Sequence, residues 1–142
     1  MTKNKLNNLL ADLVVEYHKL QNFHWYVKGS DFFQVHAKLE ELYDGVNGAI
    51  DEVAEKMLMI GGEPTATLKE FLALAKIQEP ETKHLTSKEV FEEVLNDFNY
   101  LLSSVKEVKK AADAEENYLI SAYADELIGS FSKTIWMINQ VI

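Results

Sequence analysis

A chain of 142 residues, 47% of them hydrophobic, fits a single domain, residues 1–142, that can bury a real core. Its formal net charge of −9 argues against a generic nucleic-acid binder, which needs Lys and Arg clustered on the binding face. The absence of cysteine excludes disulfides and thiolate metal sites, so any metal must be held by nitrogen and oxygen.

From Lys5 to Val27 the residues Leu6, Leu9, Leu10, Leu13, Val14, Tyr17, Leu20, His24 and Val27 recur at steps of three and four, the mark of one helix face. A cation and a glycine, Lys28-Gly29, signal its end, and Ser30 or Asp31 is placed to cap a second helix from Phe32 to about Ile60. Along one side of that helix fall Phe33, His36, Glu40, Tyr43, Asn47, Ile50, Ala54 and Met57, and Gly61-Gly62 closes it. Between Pro64 and Pro80, Thr65 to Lys76 reads as a short helix within a long connection. A third long helix is expected from Ser87, as N-cap, to Ala112. A fourth runs from about Ala114 to Ile142 through Tyr118, Ala122, Leu127, Phe131, Ile135 and Ile138. Four helices of roughly 25 residues, each about 40 Å long, imply an all-α four-helix bundle, and the long second connection suits a crossover of ferritin-like topology. No stretch of about 18 apolar residues marks a membrane span, and the stretch MTKNKLNNLL lacks a long apolar run with a small-residue cleavage site. A soluble cytoplasmic protein is expected.

The second helix carries His36 and Glu40 four residues apart, and Asp51 and Glu55 four residues apart, all within a stripe roughly 100° wide. A hairpin centred on Gly29 would bring His24 level with His36. The two pairs cannot serve one ion in one chain, because their midpoints lie about 22 Å apart along the helix, whereas paired metals sit about 3.5–4 Å apart. A Glu-x-x-His pattern occurs once, Glu81 to His84, with no second copy to complete a site inside one bundle. An antiparallel second copy, with its two-fold axis near residues 45 and 46, would set His36 and Glu40 against Asp51 and Glu55 of the other chain. Gly45 and Gly48 beside that axis would allow close backbone approach. The competing reading is an ordinary one, with solvated carboxylates and histidines that pack or face water. His18 and His84 are read as structural or exposed, and the aromatics Phe23, Trp25, Tyr26, Phe32 and Phe33 as core or interface filling.

The runs NFHWYVKGSDFF, VHAKLEELYDG and IDEVAEKMLMIGGEPTATLKEFL resemble the Dps family, the miniferritins or starvation-induced DNA-protection proteins, densely over Leu9 to about Ala75. KTIWM near the end is similar too. His24, His36, Glu40, Asp51 and Glu55 meet the family spacing H-x11-H-x3-[DE]-x10-D-x3-E. The resemblance implies a ferritin-like bundle with a short extra helix in its long crossover, assembled from two-fold dimers into a hollow dodecamer. It implies ferroxidase activity at dinuclear iron sites between subunits, with zinc as a substitute metal. His24, His36 and Glu40 would come from one chain, and Asp51 and Glu55 from its partner. Fe(II) would be oxidised by hydrogen peroxide, or by oxygen, and stored as ferric mineral.

Oxygen donors with one or two imidazoles bind Fe(II) and tolerate Fe(III), and since histidine coordinates only when neutral, uptake weakens as pH falls. The resemblance sets Trp25 beside the metal pair and offers Asp113, Glu116 and Asp125 as candidates for acidic entry pores. Glu40 stands where many relatives have Asp, one methylene shorter. DNA binding in the family relies on lysine-rich tails, and this sequence offers only Lys3 and Lys5 before its first helix, so direct DNA binding is not expected. The alternative function is a non-catalytic Dps-like shell that binds metal or coats DNA.

Overall fold

The computed structural model describes all 142 residues as five helices: α1 (Thr2–Tyr26), α2 (Phe32–Met59), α3 (Leu68–Leu74), α4 (Ser87–Ala114) and α5 (Tyr118–Ile138). The long helices form two antiparallel hairpins, α1 with α2 and α4 with α5, joined by the crossover that contains α3. This is the expected four-helix bundle of ferritin-like topology. The only extended pairing is a single parallel bridge between Val27 and Leu85.

The core is aliphatic, with a few aromatics. Leu6, Leu9, Leu10, Leu13, Leu20 and Phe23 of α1 meet Leu39, Val46, Val53 and Met57 of α2, with Val94, Phe98, Leu101 and Val105 of α4 across from them. Phe98 and Phe131 meet edge to face, their centroids 5.4 Å apart. Burying these side chains drives the fold, at about 1.5–3 kcal/mol for each fully covered one.

Two apolar stripes differ from the sequence expectation. On α2 the buried face is Val35, Leu39, Leu42, Val46, Ala49, Val53 and Met57, whereas Phe33, Glu40 and Asn47 are exposed. The stripe through His36 therefore flanks the core, because the aliphatic series turned about 90° from it claims the interior. On α5 the buried face runs through Ile120, Tyr123, Ala124, Leu127, Phe131 and Ile138, leaving Tyr118 and Ala122 in solvent.

Boundaries moved for identifiable reasons. The N-cap of α4 is Thr86, one residue earlier than expected, and it forms a capping box with Glu89. Ser87 instead donates to the Asp31 carboxylate at 2.6 Å. Ala114 belongs to α4, and α5 starts only after Glu116 takes the left-handed conformation at φ 56° and Asn117 caps the Ile120 amide. Gly61, at φ 77°, ends α2 with no penalty for that conformation. Thr86→Ala removes the capping box and lowers stability by about 1 kcal/mol. Backbone and side-chain bonds to Thr86 hold the Glu89 carboxyl below its usual range, so this contribution is present above the unfolded carboxylate pKa and fades as pH falls through the folded one. The gap between wild type and Thr86→Ala in denaturant titrations accordingly narrows in acid.

The crossover runs parallel to α1 and is fastened to it along its length. Asn7 Oδ1 accepts from the Thr65 amide at 2.9 Å, and Asp12 Oδ1 accepts from the Lys76 and Ile77 amides at 2.7 and 3.0 Å. The Lys28 amide donates to Leu85 O at 2.9 Å. These bonds satisfy backbone groups that the long connection, residues 60–86, would otherwise leave to solvent.

Candidate metal centre

The α1–α2 turn brings the two histidines together. Gly29 has φ +150°, a conformation that L side chains rarely adopt, and a Cβ there would press on Asp31 Oδ1 at 3.2 Å. Asp31 is the N-cap residue of α2, but its side chain makes no capping bond. Its carboxylate ties the turn to α4 through Ser87 instead. Because the Lys28 amide bonds Leu85 O, the His24 carbonyl in the last turn of α1 is released from the helical ladder.

His36 takes that carbonyl. His36 Nδ1 lies 2.7 Å from His24 O, and His24 Nδ1 lies 2.6 Å from His36 O. The rings stack with centroids 3.6 Å apart and planes 10° from parallel. A carbonyl only accepts, so this reciprocal bonding assigns the proton of each neutral ring to Nδ1 and leaves each Nε2 with a free lone pair. Metal-binding histidines are commonly oriented in this way, by a carbonyl on the nitrogen away from the metal. Phe32 stacks on the far face of His36 at 4.7 Å, and Tyr43 meets His24 edge-on at 5.3 Å. Phe32 and Tyr43 thus fix the pair in an aromatic column. Tyr43 lay on the stripe read from the sequence, seven residues after His36, whereas Phe32 was read only as filling and Phe33 stood on that stripe instead.

His24 is buried, whereas Glu40 is exposed and reaches back to set its Oε1 3.7 Å from His24 Nε2. Donors each about 2.0–2.2 Å from a shared metal lie at about this separation, and imidazole with carboxylate suits iron or zinc. The donor set fits a metal but is short of ligands. No three His, Asp or Glu side chains of the chain converge to hold an ion. Asp51 and Glu55 are exposed on the same stripe of α2, more than two turns beyond Glu40, and neither makes an ion pair or side-chain hydrogen bond within the chain. The structure therefore stacks His36 on His24 and brings Glu40 to His24, without gathering the three around one point, and leaves Asp51 and Glu55 apart from them.

The chain matches the ferritin-like domain family over residues 3–142. The DNA protection during starvation protein of Helicobacter pylori is 38% identical over 134 residues, covering 94% of this chain and 93% of that one. The crystal structure of a Dps protein from Bacillus brevis superposes with a TM-score of 0.95 at 37% identity, covering 99% of this chain and 93% of that one. The chain belongs to the Dps family. A Dps protein from Vibrio cholerae O1, described as a member of a broad superfamily of ferritin-like diiron-carboxylate proteins, matches with a TM-score of 0.94 at 31% identity, over 98% of this chain and 87% of that one.

The remaining candidates have defined settings in this Dps chain. Trp25 is 62% exposed and lines a groove of about 360 Å³ between α1 and α3, with His18, Leu68 and Leu72. His84 Nδ1 meets Tyr26 O at 3.0 Å, part of the crossover fastening. Asp113 and Asp125 are drawn to one cation, Lys109, whose Nζ lies 3.8 and 3.1 Å from them, and Glu116 occupies the strained turn. No helix is long and apolar enough to cross a membrane.

Proposed function

We propose that this Dps chain is a ferroxidase miniferritin. It binds Fe(II) at dinuclear sites shared between two-fold-related subunits, oxidises it with hydrogen peroxide or oxygen, and stores the ferric product in a cytoplasmic dodecameric cage. His24, His36 and Glu40 come from one subunit, and Asp51 and Glu55 from its partner. The observation that carries this reading is the cross-bonded histidine pair. Both Nε2 lone pairs are left free by reciprocal Nδ1 bonds, with the Glu40 carboxylate 3.7 Å from that of His24 and too few ligands in the chain to finish a site.

The chemistry follows from that donor set. Two Fe(II) give up one electron each, the O–O bond of peroxide breaks, and two protons complete two waters, so no hydroxyl radical is released. Exposed carboxylates offer the hard oxygen that Fe(III) prefers, and the imidazoles retain Fe(II) before oxidation. The fixed tautomers mean that neither ring must rotate or exchange a proton before it binds. A net charge of −9 on each copy draws cations toward an assembly and opposes direct DNA binding, so DNA is protected by removal of iron and peroxide. A gel shift at low salt that retards DNA would contradict this last point.

Partner approach makes a separate prediction. A Cβ at Gly45 or Gly48 meets nothing within 4 Å inside the chain. Gly48→Ala raises intrinsic helix stability by up to about 1 kcal/mol, while the added methyl obstructs the second backbone at the two-fold axis. Sedimentation should therefore show smaller species for Gly48→Ala at unchanged helix content.

A further inference from the structure

A second group of charges lies inside the bundle, on the α1–α4 face and away from the histidine pair. Glu16 of α1 is completely buried, and neither of its carboxyl oxygens has a hydrogen-bond partner. The single cation nearby is Lys19, whose Nζ sits 3.0 Å from Glu93 and 3.0 Å from Asp97, both on α4. Its ammonium is thus committed to two other carboxylates. α2 turns only apolar side chains into the core, and the buried polar groups of α5, Ser121 and Tyr123, sit with Lys109 and near Glu52. From the crossover, Lys76 lines the polar groove outside Asp97 together with Tyr100. Two carboxylates of α4 consequently take the one ammonium, and Glu16 is left without it.

We propose that Glu16 is held as the neutral carboxylic acid at neutral pH and donates its single proton to Asp97, forming a buried latch between α1 and α4 that loosens as pH rises. An ionised carboxylate with no donor in the core costs several kcal/mol, and a group so placed neutralises instead. A proton on Glu16 turns an unpaired buried acceptor into a donor and removes one buried charge. Burial first, and then the charge of Asp97, push the Glu16 carboxyl well above its usual range. The sign follows from the raised value. The latch is complete below the unfolded carboxyl pKa, near 4.3, and its contribution is lost as pH rises through the folded one. The groove outside Asp97 gives the proton a polar route to solvent. This device is independent of the metal centre.

Infrared spectroscopy of the assembled full-length protein at about pH 7 tests it. Wild type should show the carbonyl stretch of a buried protonated carboxylic acid, and Glu16→Gln should lose that band. Denaturant titrations give a second readout. Relative to Glu16→Gln, the folding constant of wild type should fall by up to about tenfold per pH unit across the window between the unfolded and folded values. Absence of the protonated-acid band from wild type overturns the proposal, whether or not Glu16→Gln folds. So does a pH-independent difference between the two proteins.

Discussion

His24→Ala/His36→Ala loses rapid Fe(II) oxidation by peroxide, by at least about 100-fold in initial rate, in a protein that remains folded and assembled. Disturbing a group that merely orients a metal-bound histidine costs 10–100-fold, and here two ligands are removed outright. The rings orient each other by stacking, while each Nδ1 is held by the other residue's backbone carbonyl. Each single variant therefore removes one ligand and also uncovers a stacking face of the other, so the two losses are not additive. His36→Ala shows the coupling best. It vacates the ring packed between Phe32 and His24, and the remaining imidazole keeps its own Nδ1 bond to the carbonyl at position 36. Stopped-flow absorbance of ferric product, with circular dichroism as the control for folding, measures the effect. An unchanged rate would remove these residues from the site.

The largest effect on stability is expected at Asp12. Its carboxylate is buried and accepts three bonds, from the Lys76 and Ile77 amides and, at 2.9 Å, from the Tyr100 hydroxyl. Asp12→Ala leaves those donors unpaired at about 1–3 kcal/mol for each one that water cannot reach, and a loss of about 3–5 kcal/mol is expected. Asp12→Asn keeps one acceptor oxygen and should fall between. Urea denaturation reads the loss directly. A spectroscopic titration gives an independent check. Tyr100 is held above its ordinary pKa by burial and then by its bond to Asp12 and the charge there, so its phenol should ionise at lower pH in Asp12→Ala.

Local signals marked much of this fold. Lys28-Gly29 and Gly61-Gly62 stop α1 and α2 near where they were expected, and the Val90 to Val108 series on α4 obeys simple helical spacing. The signals failed where two answers were locally equal. Thr86 and Ser87 are both capping residues, and the choice was made at a distance, because Asp31 uses the hydroxyl of Ser87. On α2 two stripes are plausible by period alone, and aliphatic volume decides between them. Asp12 and Glu16 fall among the core residues of α1, yet their roles depend on the crossover and on α4, which one helix cannot reveal.

The candidate metal centre divides in the same way. Its residue types and the i,i+4 spacing were legible because they are local, and the separation of the two pairs already called for a second chain. The exchange of Nδ1 bonds was not legible. It requires the His24 carbonyl to be free, and that depends on Lys28 bonding to Leu85, a residue 57 positions away in sequence. Lys109 among the acidic pore candidates was equally hidden, since it meets Asp125 only through the α4–α5 turn.

Subunit complementation tests the shared centre most directly. A chain carrying His24→Ala/His36→Ala and a chain carrying Asp51→Ala/Glu55→Ala are each inactive alone. After co-assembly, half of the dimers combine one of each, and in those dimers one of the two sites regains a full ligand set. Peroxide-driven Fe(II) oxidation should therefore return to about one quarter of the wild-type rate per chain, as two-fold symmetry requires. Activity that stays at the level of the separate variants, in a mixture shown by mass to contain mixed dimers, would contradict a site built from two chains.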